Sequence, residues 1–206
     1  MSAAETNFPN PTGKQPQWLA LAQAVFNRQA DRWDDTSCAG GLKWQIFPFN
    51  TGLNYKNSIS QGGFFNLASR LGAYTQNQTY LDWAERSYNW TERVGLINHQ
   101  FQIFDGSDDL LNCTQIEHVE WTYNNGIFLL GAAMMWNQVS LNGTPQRLEQ
   151  EFTNKIQTTG AAQQRWADRL AGIISRSSVF FTSQKVMFEV KRPPSTIGRR
   201  YQANHA

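Results

Sequence analysis

Charge is scarce in this chain: Asp, Glu, Lys and Arg make up 17% of its 206 residues, with a net charge of +2. The basic residues are scattered, which excludes the one-faced electrostatic footprint that nucleic-acid binding needs. Histidine is rarer still. His99, His118 and His205 show no metal-ligand spacing, so neither a metal site nor a cofactor is expected, and His118 reads as a surface or loop residue. No G-x-S-x-G elbow, P-loop or G-x-G-x-x-G occurs, which removes the hydrolase, nucleotide and dinucleotide machines those motifs build. The longest apolar run, Gly126 to Trp136, is too short to span a bilayer and predicts a helix buried on all sides. Met1 to Glu5 has no positive n-region and no apolar h-region, so no signal peptide opens the chain. Cysteine is nearly absent. Cys38 and Cys113 either form one disulfide or stay as separate thiols.

Aromatic residues are abundant by contrast: eight Trp, six Tyr and thirteen Phe. Such side chains fill cores, or they form the flat platforms on which sugar rings stack. Four N-glycosylation sequons begin at Asn77, Asn89, Asn112 and Asn142, while Asn10-Pro11-Thr12 is ruled out by its proline. Four sequons point to the secretory pathway. Secretory features without a secretory signal lead us to expect further sequence upstream of Met1.

Periodicity outlines the elements. Trp18, Leu21, Ala22, Val25 and Phe26 mark an amphipathic helix running to about Trp33. Asp34 to Asn54 reads as a long loop with a short strand at Trp44 to Phe47. A second helix is predicted from Asn57 to Thr75, with small residues allowing close approach. A third begins near Thr79, with Asp82 as a capping-box partner. Its packing stripe is Tyr80, Trp83, Ala84, Ser87 and Tyr88, and Asp82, Glu85, Arg86 and Asn89 face solvent. Ile97 to Trp121 reads as a polar loop containing a strand, Phe101 to Phe104, closed by Asp105-Gly106. The apolar helix covers Thr122 to Val139. Thr144-Pro145 starts another, Arg165 to Ser177 forms the last, and Lys185 to Val190 is a further strand.

A weak repeat relates Gln61-Gly-Gly-Phe-Phe-Asn-Leu-Ala68 to Asn125-Gly-Ile-Phe-Leu-Leu-Gly-Ala132. Each copy precedes a more polar helix, the alternation expected of inner and outer helices in an α/α barrel. The fold class read from this is all-α, an incomplete barrel with its long loops gathered at one end, where a site belongs.

Carboxylates remain as candidate chemistry, since glycoside hydrolysis uses two of them flanking the scissile bond. Asp34-Asp35 is an adjacent pair, and Asp105, Asp108, Asp109 and Glu120 lie in or beside long loops. Asp34-Asp35 follows directly on a helix end, where the dipole does not favour negative charge, and reads as loop structure.

Four stretches carry a resemblance to a known family: Arg32-Trp33-Asp34, Cys38-Ala-Gly-Gly-Leu-Lys-Trp-Gln-Ile-Phe47, Asn54-Tyr-Lys-Asn-Ser58 and Glu120-Trp-Thr-Tyr-Asn-Asn-Gly126. Together they resemble the fungal branch of glycoside hydrolase family 76, which includes the cell-wall mannosidase-like proteins required for filamentous growth. The resemblance covers about residues 1–190 and sets 191–206 apart as a basic, Pro-containing tail, such as a gene-model artefact leaves. It implies an (α/α)6 barrel, extracellular or GPI-anchored, acting on α-1,6-mannan or transferring GPI-linked mannoprotein glycans. Membrane association is implied only through the anchor. The family's catalytic Asp-Asp pair stands on an inner helix in an Asp-Asp-x-x-x-Trp context. Asp34-Asp35 lacks both features, so the catalytic pair is expected upstream of Met1. The alternative is a non-catalytic mannan-binding or truncated product. For contact with sugar in the retained loops, the candidates are Trp44, Lys56, Asn57, Asp105, Trp121 and Tyr123. The aromatic rings would stack on mannose and the others would hydrogen-bond its hydroxyls.

Overall fold

The apolar faces of five helices meet around the main core in the computed structural model, which describes residues 1, 12, 13, 17–141, 161, 162 and 164–177. Helix α1 (Trp18–Asp31) turns only one edge of its predicted stripe inward. Ala22 and Phe26 are buried, whereas Leu21 and Val25 stay exposed. Helix α2 (Ser58–Thr75) is central and packs against α1, against α3 (Gln78–Arg93) and against α4 (Thr122–Leu141). A fifth helix, α5, runs over 164–177, and its Trp166 stacks on Phe65 of α2 at 5.7 Å between ring centroids. The stretch around Thr144-Pro145, the predicted strand Lys185 to Val190 and the tail 191–206 lie outside the described residues.

Helix α3 follows its periodicity. Tyr80, Ala84, Ser87 and Tyr88 are buried, Trp83 is half-buried, and Asp82, Arg86 and Asn89 are exposed. Its start is corrected, however. The N-cap is Asn77, whose side-chain oxygen accepts the Thr79 N–H at 3.0 Å, and Thr79 lies inside the helix. Asn outranks Thr as a cap, and this cap satisfies a first-turn N–H that would otherwise be unpaired. Asp82 accepts from Gln78 instead.

The two halves of the repeat pack against each other as α2 and α4. Phe128 lies against Gly62 and Phe65 against Gly131, a reciprocal ring-on-glycine contact that brings the helices close. Gly126, which the repeat aligns with Gly62, has open space where a side chain would be. We therefore expect opposite outcomes at two glycines of one helix. In Gly131→Val the new Cβ runs into the Phe65 ring, and overpacking costs about 1–3 kcal/mol. Gly126→Ala removes backbone freedom from a helix interior and stabilises by roughly 0.5–1 kcal/mol. Urea midpoints of the two variants of the whole protein check both signs. The α4 helix is also less enclosed than its apolar run predicted, with Leu130 54% exposed.

The chain is not purely helical. Strands β1 (Tyr55–Asn57), β2 (Phe104–Asp108) and β3 (Ile116–Glu120) form a small antiparallel sheet in that order. The predicted strand at Phe101 to Phe104 thus begins three residues late, because Phe101 has φ of 57° and cannot continue an extended run. The predicted strand at Trp44 to Phe47 is absent; one isolated bridge joins Lys43 to Lys56. Strand β1 leads directly into α2 and β3 leads into α4, so the sheet sits at the N-terminal ends of both helices. The Ser58 hydroxyl, in the first turn of α2, donates to the Phe104 carbonyl at 2.6 Å and ties the sheet to the helix.

Candidate functional site

The loop that joins α1 to β1 is organised around two buried side chains. Residues Cys38, Ala39, Gly40 and Gly41 all have positive φ, and at the two glycines a side chain would run into the Trp90 ring. The loop therefore curls over the Trp90 indole, whose N–H donates to the Cys38 carbonyl at 3.0 Å. Underneath, the Lys56 ammonium donates to the carbonyls of Asp34, Ser37 and Gly40 at 3.0, 2.9 and 2.7 Å. The Asp34 carboxylate stands 3.1 Å from the same nitrogen. Lys43 completes the network with Asp109 at 2.8 Å. Burial alone raises the Asp34 carboxyl, but the Thr36 hydroxyl and N–H and the Lys56 ammonium outweigh it and hold it well below the usual carboxylate range. Burial draws Lys56 below its ordinary value against the pull of Asp34 and Asp109.

This arrangement corrects two of the sugar-contact candidates. Lys56 is 0% exposed, with every N–H committed to the loop above it, so it cannot reach a ligand. Asn57 is buried too, and caps α2 by accepting the Ser60 N–H at 3.2 Å. Both are scaffold residues.

A different set gathers on the outer side of the sheet. Between Phe104 and Gly106 the pairing of β2 with β3 slips, and this bulge re-aims Asp105. The Tyr55 ring lies across Gly106, which must be small to admit it, and its hydroxyl donates to the Asp105 carboxylate at 3.0 Å. Burial, followed by that carboxylate, pushes the Tyr55 hydroxyl above its ordinary value, so it remains a donor. Nearby, Trp121 and Tyr123 stack at 5.8 Å between centroids and 10° between planes. They are 45% and 49% exposed and together form a flat surface open to solvent. Burial and then the Asp105 charge raise the Tyr123 hydroxyl, which places these two groups in one electrostatic neighbourhood. The platform is braced from behind. Glu120, the residue before Trp121, receives Arg176 of α5 at 2.6 and 3.2 Å and Gln102 at 3.1 Å. These contacts fix the end of β3 from which Trp121 continues.

Trp44 faces elsewhere. It is 48% exposed and lines a cleft of about 270 Å³ between α1 and α2, together with Val25, Arg32 and Leu67. Tyr55 escaped the sequence reading. No local signal marked it, because the face of β1 that is buried is set by the pairing with β2 and the loop closed over Lys56. His118 is exposed on β3 and meets Phe104 edge-on at 4.5 Å.

The adjacent carboxylate pairs are occupied with structure. Asp34 serves the Lys56 loop, while Asp35 turns away to accept from Arg86 at 3.1 and 3.2 Å and from the Trp33 indole at 3.0 Å. Arg86 in turn lies between the Trp33 and Trp83 rings, 4.8 and 4.6 Å from their centroids. Asp108 caps a short 3-10 turn (Asp109–Leu111), and Asp109 belongs to the Lys43 network. No group of His, Cys, Asp or Glu able to hold a metal occurs among the described residues.

The two cysteines are joined, with Cα atoms 5.4 Å apart, and the bond links the Lys56 loop to the turn between β2 and β3. Asn77, Asn89 and Asn112 are all exposed, and Asn142 lies outside the described residues.

The sheet and the exposed aromatic platform thus stand at the N-terminal ends of α2 and α4. The chain is a member of glycosyl hydrolase family 76, whose sequence profile matches residues 1–203, past the boundary drawn at residue 190. It is 54% identical over 141 residues to mannan endo-1,6-alpha-mannosidase DCW1 of Eremothecium gossypii, covering 66% of this chain and 31% of that protein. To mannan endo-1,6-alpha-mannosidase DFG5 of Saccharomyces cerevisiae it is 41% identical over 191 residues, covering 92% and 37%. The crystal structure of Dfg5 from Chaetomium thermophilum in complex with glucosamine superposes with a TM-score of 0.67 at 42% identity, over 83% of this chain and 37% of that one. The chain spans about a third of the length of the curated relatives it matches.

Proposed function

We propose that the whole protein is an endo-acting α-1,6-mannosidase or a transglycosylase of GPI-linked mannoprotein glycans. On this reading it works in fungal cell-wall biogenesis, outside the plasma membrane or held to it by a GPI anchor. Its helices belong to an (α/α)6 barrel of which α2 and α4 are inner members, and this chain supplies part of the sugar-binding end. The observation that carries the reading is the Trp121–Tyr123 platform beside Asp105 and Tyr55. The apolar faces of sugar rings stack on such a surface, and a carboxylate beside it accepts hydrogen bonds from sugar hydroxyls. Membership of family 76 and the names of the two relatives fit an α-1,6-linked mannose backbone.

The acid and nucleophile or base belong, in this proposal, to a part of the protein outside this chain. A retaining glycosidase holds its two carboxyl groups about 5–5.5 Å apart on a rigid support and an inverting one holds them further apart. Asp34 and Asp35 point into different contacts and each is already used. The same observation supports a second reading, in which this chain serves only to bind mannan.

The test uses α-1,6-mannooligosaccharides and the whole protein. Trp121→Ala and Tyr123→Ala together should lower kcat/KM roughly 5- to 150-fold, from about 1–3 kcal/mol of lost stacking, chiefly through KM. Asp35→Asn should leave it unchanged. Unaltered kcat/KM in the double variant would falsify the platform as a sugar site.

A further inference from the structure

Three sequons lie among the described residues, and folding treats them differently. Asn77 and Thr79 are both exposed at the start of α3. Asn89 is exposed too, but its sequon continues into Trp90 and Thr91, both buried, and the Thr91 hydroxyl is spent on the Ser87 carbonyl at 2.8 Å. The sequon of Asn112 is folded most tightly. Asn112 and Cys113 have φ of 49° and 55°. The Asn112 side-chain oxygen accepts the Cys38 N–H at 2.6 Å, Cys113 is bonded to Cys38, and the Thr114 hydroxyl donates to the Leu111 carbonyl at 2.8 Å.

We propose that Asn112 is an N-glycosylation site whose occupancy is decided by a race between oligosaccharide transfer and closure of the Cys38–Cys113 bond. The proposal rests on the secretory-pathway reading above. Transfer needs the Asn amide and the hydroxyl two residues on, presented together. It forms a bond from Asn112 Nδ2 to the anomeric carbon of an oligosaccharide. It breaks that carbon's bond to the phosphate oxygen of a lipid-pyrophosphate carrier, while Nδ2 loses a proton and the lipid pyrophosphate departs. Once the disulfide closes, all three sequon residues are locked into the turn and the Thr114 hydroxyl is engaged, so the acceptor is lost.

The reverse order leaves folding intact. The glycan sits on Nδ2, whereas the contact with Cys38 uses Oδ1, and Asn112 is exposed. A glycosylated chain can therefore still close its disulfide, but a closed chain cannot be glycosylated. Asn112 and Cys113 enter the compartment one residue apart, so the glycan and the bond compete from the same moment. Cys38 lies 75 residues ahead and is already there, having entered roughly 4–15 s earlier at about 5–20 residues per second. Protein disulfides form in seconds or longer. Asn77 has no cysteine in its sequon and serves as the internal reference.

The test expresses the whole protein in a fungal secretory host. Occupancy is read peptide by peptide after enzymatic deglycosylation in heavy-oxygen water, on cell and medium fractions pooled so that retention of a misfolded variant does not bias it. In the wild type, Asn112 should be occupied less fully than Asn77. In Cys38→Ser, and in wild type synthesised during a dithiothreitol pulse, Asn112 should rise to the level of Asn77. An Asn112 occupancy equal in all three, whether full or nil, overturns the race. Absence of glycan from Asn77, Asn89 and Asn112 alike overturns the secretory reading and the race with it.

Discussion

Lys56→Met lowers the unfolding free energy by about 3–5 kcal/mol, the loss that follows when one partner of a buried ionic network is removed. Methionine fills the space but donates nothing. The carbonyls of Asp34, Ser37 and Gly40 then lose their donor, and the Asp34 and Asp109 carboxylates lose a counter-charge. A loss of that size is a large share of the 5–15 kcal/mol by which domains are typically stable. The same change should alter the acid limb. Asp34 titrates lower in the fold than in the unfolded chain, so its contribution is present above the unfolded value of about 3.9 and disappears as pH falls through the folded one. Without Lys56 the folded value climbs and acid unfolding begins at higher pH. The lowered value of Lys56 itself is a constant cost at neutral and acid pH, relieved only as pH rises on the alkaline side, so it does not shape the acid limb. Denaturant melts of wild type and variant at neutral and acid pH measure both effects. Equal midpoints would show that the loop holds itself together without the ammonium.

Opening the Cys38–Cys113 bond is the second large effect. The bridge spans a separation of 75 residues and is worth about 4 kcal/mol on the loop-entropy account. It also secures backbone that gains little by staying folded unaided. Cys38, Ala39, Asn112 and Cys113 are non-glycine residues with positive φ, a conformation that costs energy unless the surroundings hold it. Reduction under mild denaturant should therefore shift the unfolding midpoint by that amount, and the Trp90 indole, pinned to the Cys38 carbonyl, should report it by fluorescence. A midpoint unmoved by reductant would mean that the Lys56 network alone fixes both loops.

The helices could be read from the sequence because their cause is local. Tyr80, Ala84, Ser87 and Tyr88 recur at intervals of three and four, and that spacing alone puts them on one face of α3. The repeat carried by Gln61 to Ala68 and Asn125 to Ala132 likewise announced two helices, which pack against each other. It did not say that Gly131, and not Gly126, would be the glycine under a ring, because that depends on how α4 is rotated against α2. Trp121, Tyr123 and Asp105 were found as candidates from residue type and loop position. The stacking of the first two and the hydrogen bond from Tyr55 to the third exist only once β1, β2 and β3 are paired.

What the sequence by itself determined was the helical periodicity, the scarcity of charge and metal ligands, and the long motifs that tie the chain to family 76. What only the tertiary structure decided was the direction in which each polar side chain points. Lys56 stands in a loop-to-helix motif and carries the chemistry of a sugar-binding residue. It is instead enclosed, because carbonyls 16, 19 and 22 residues away in sequence close around its ammonium. Asp34 and Asp35 are neighbours in the chain and turn to opposite tasks for the same reason: one meets Lys56 and the other meets Arg86, 51 residues further on. Burial and pairing of a charged group are set by contacts distant in sequence, and a local pattern contains no information about them.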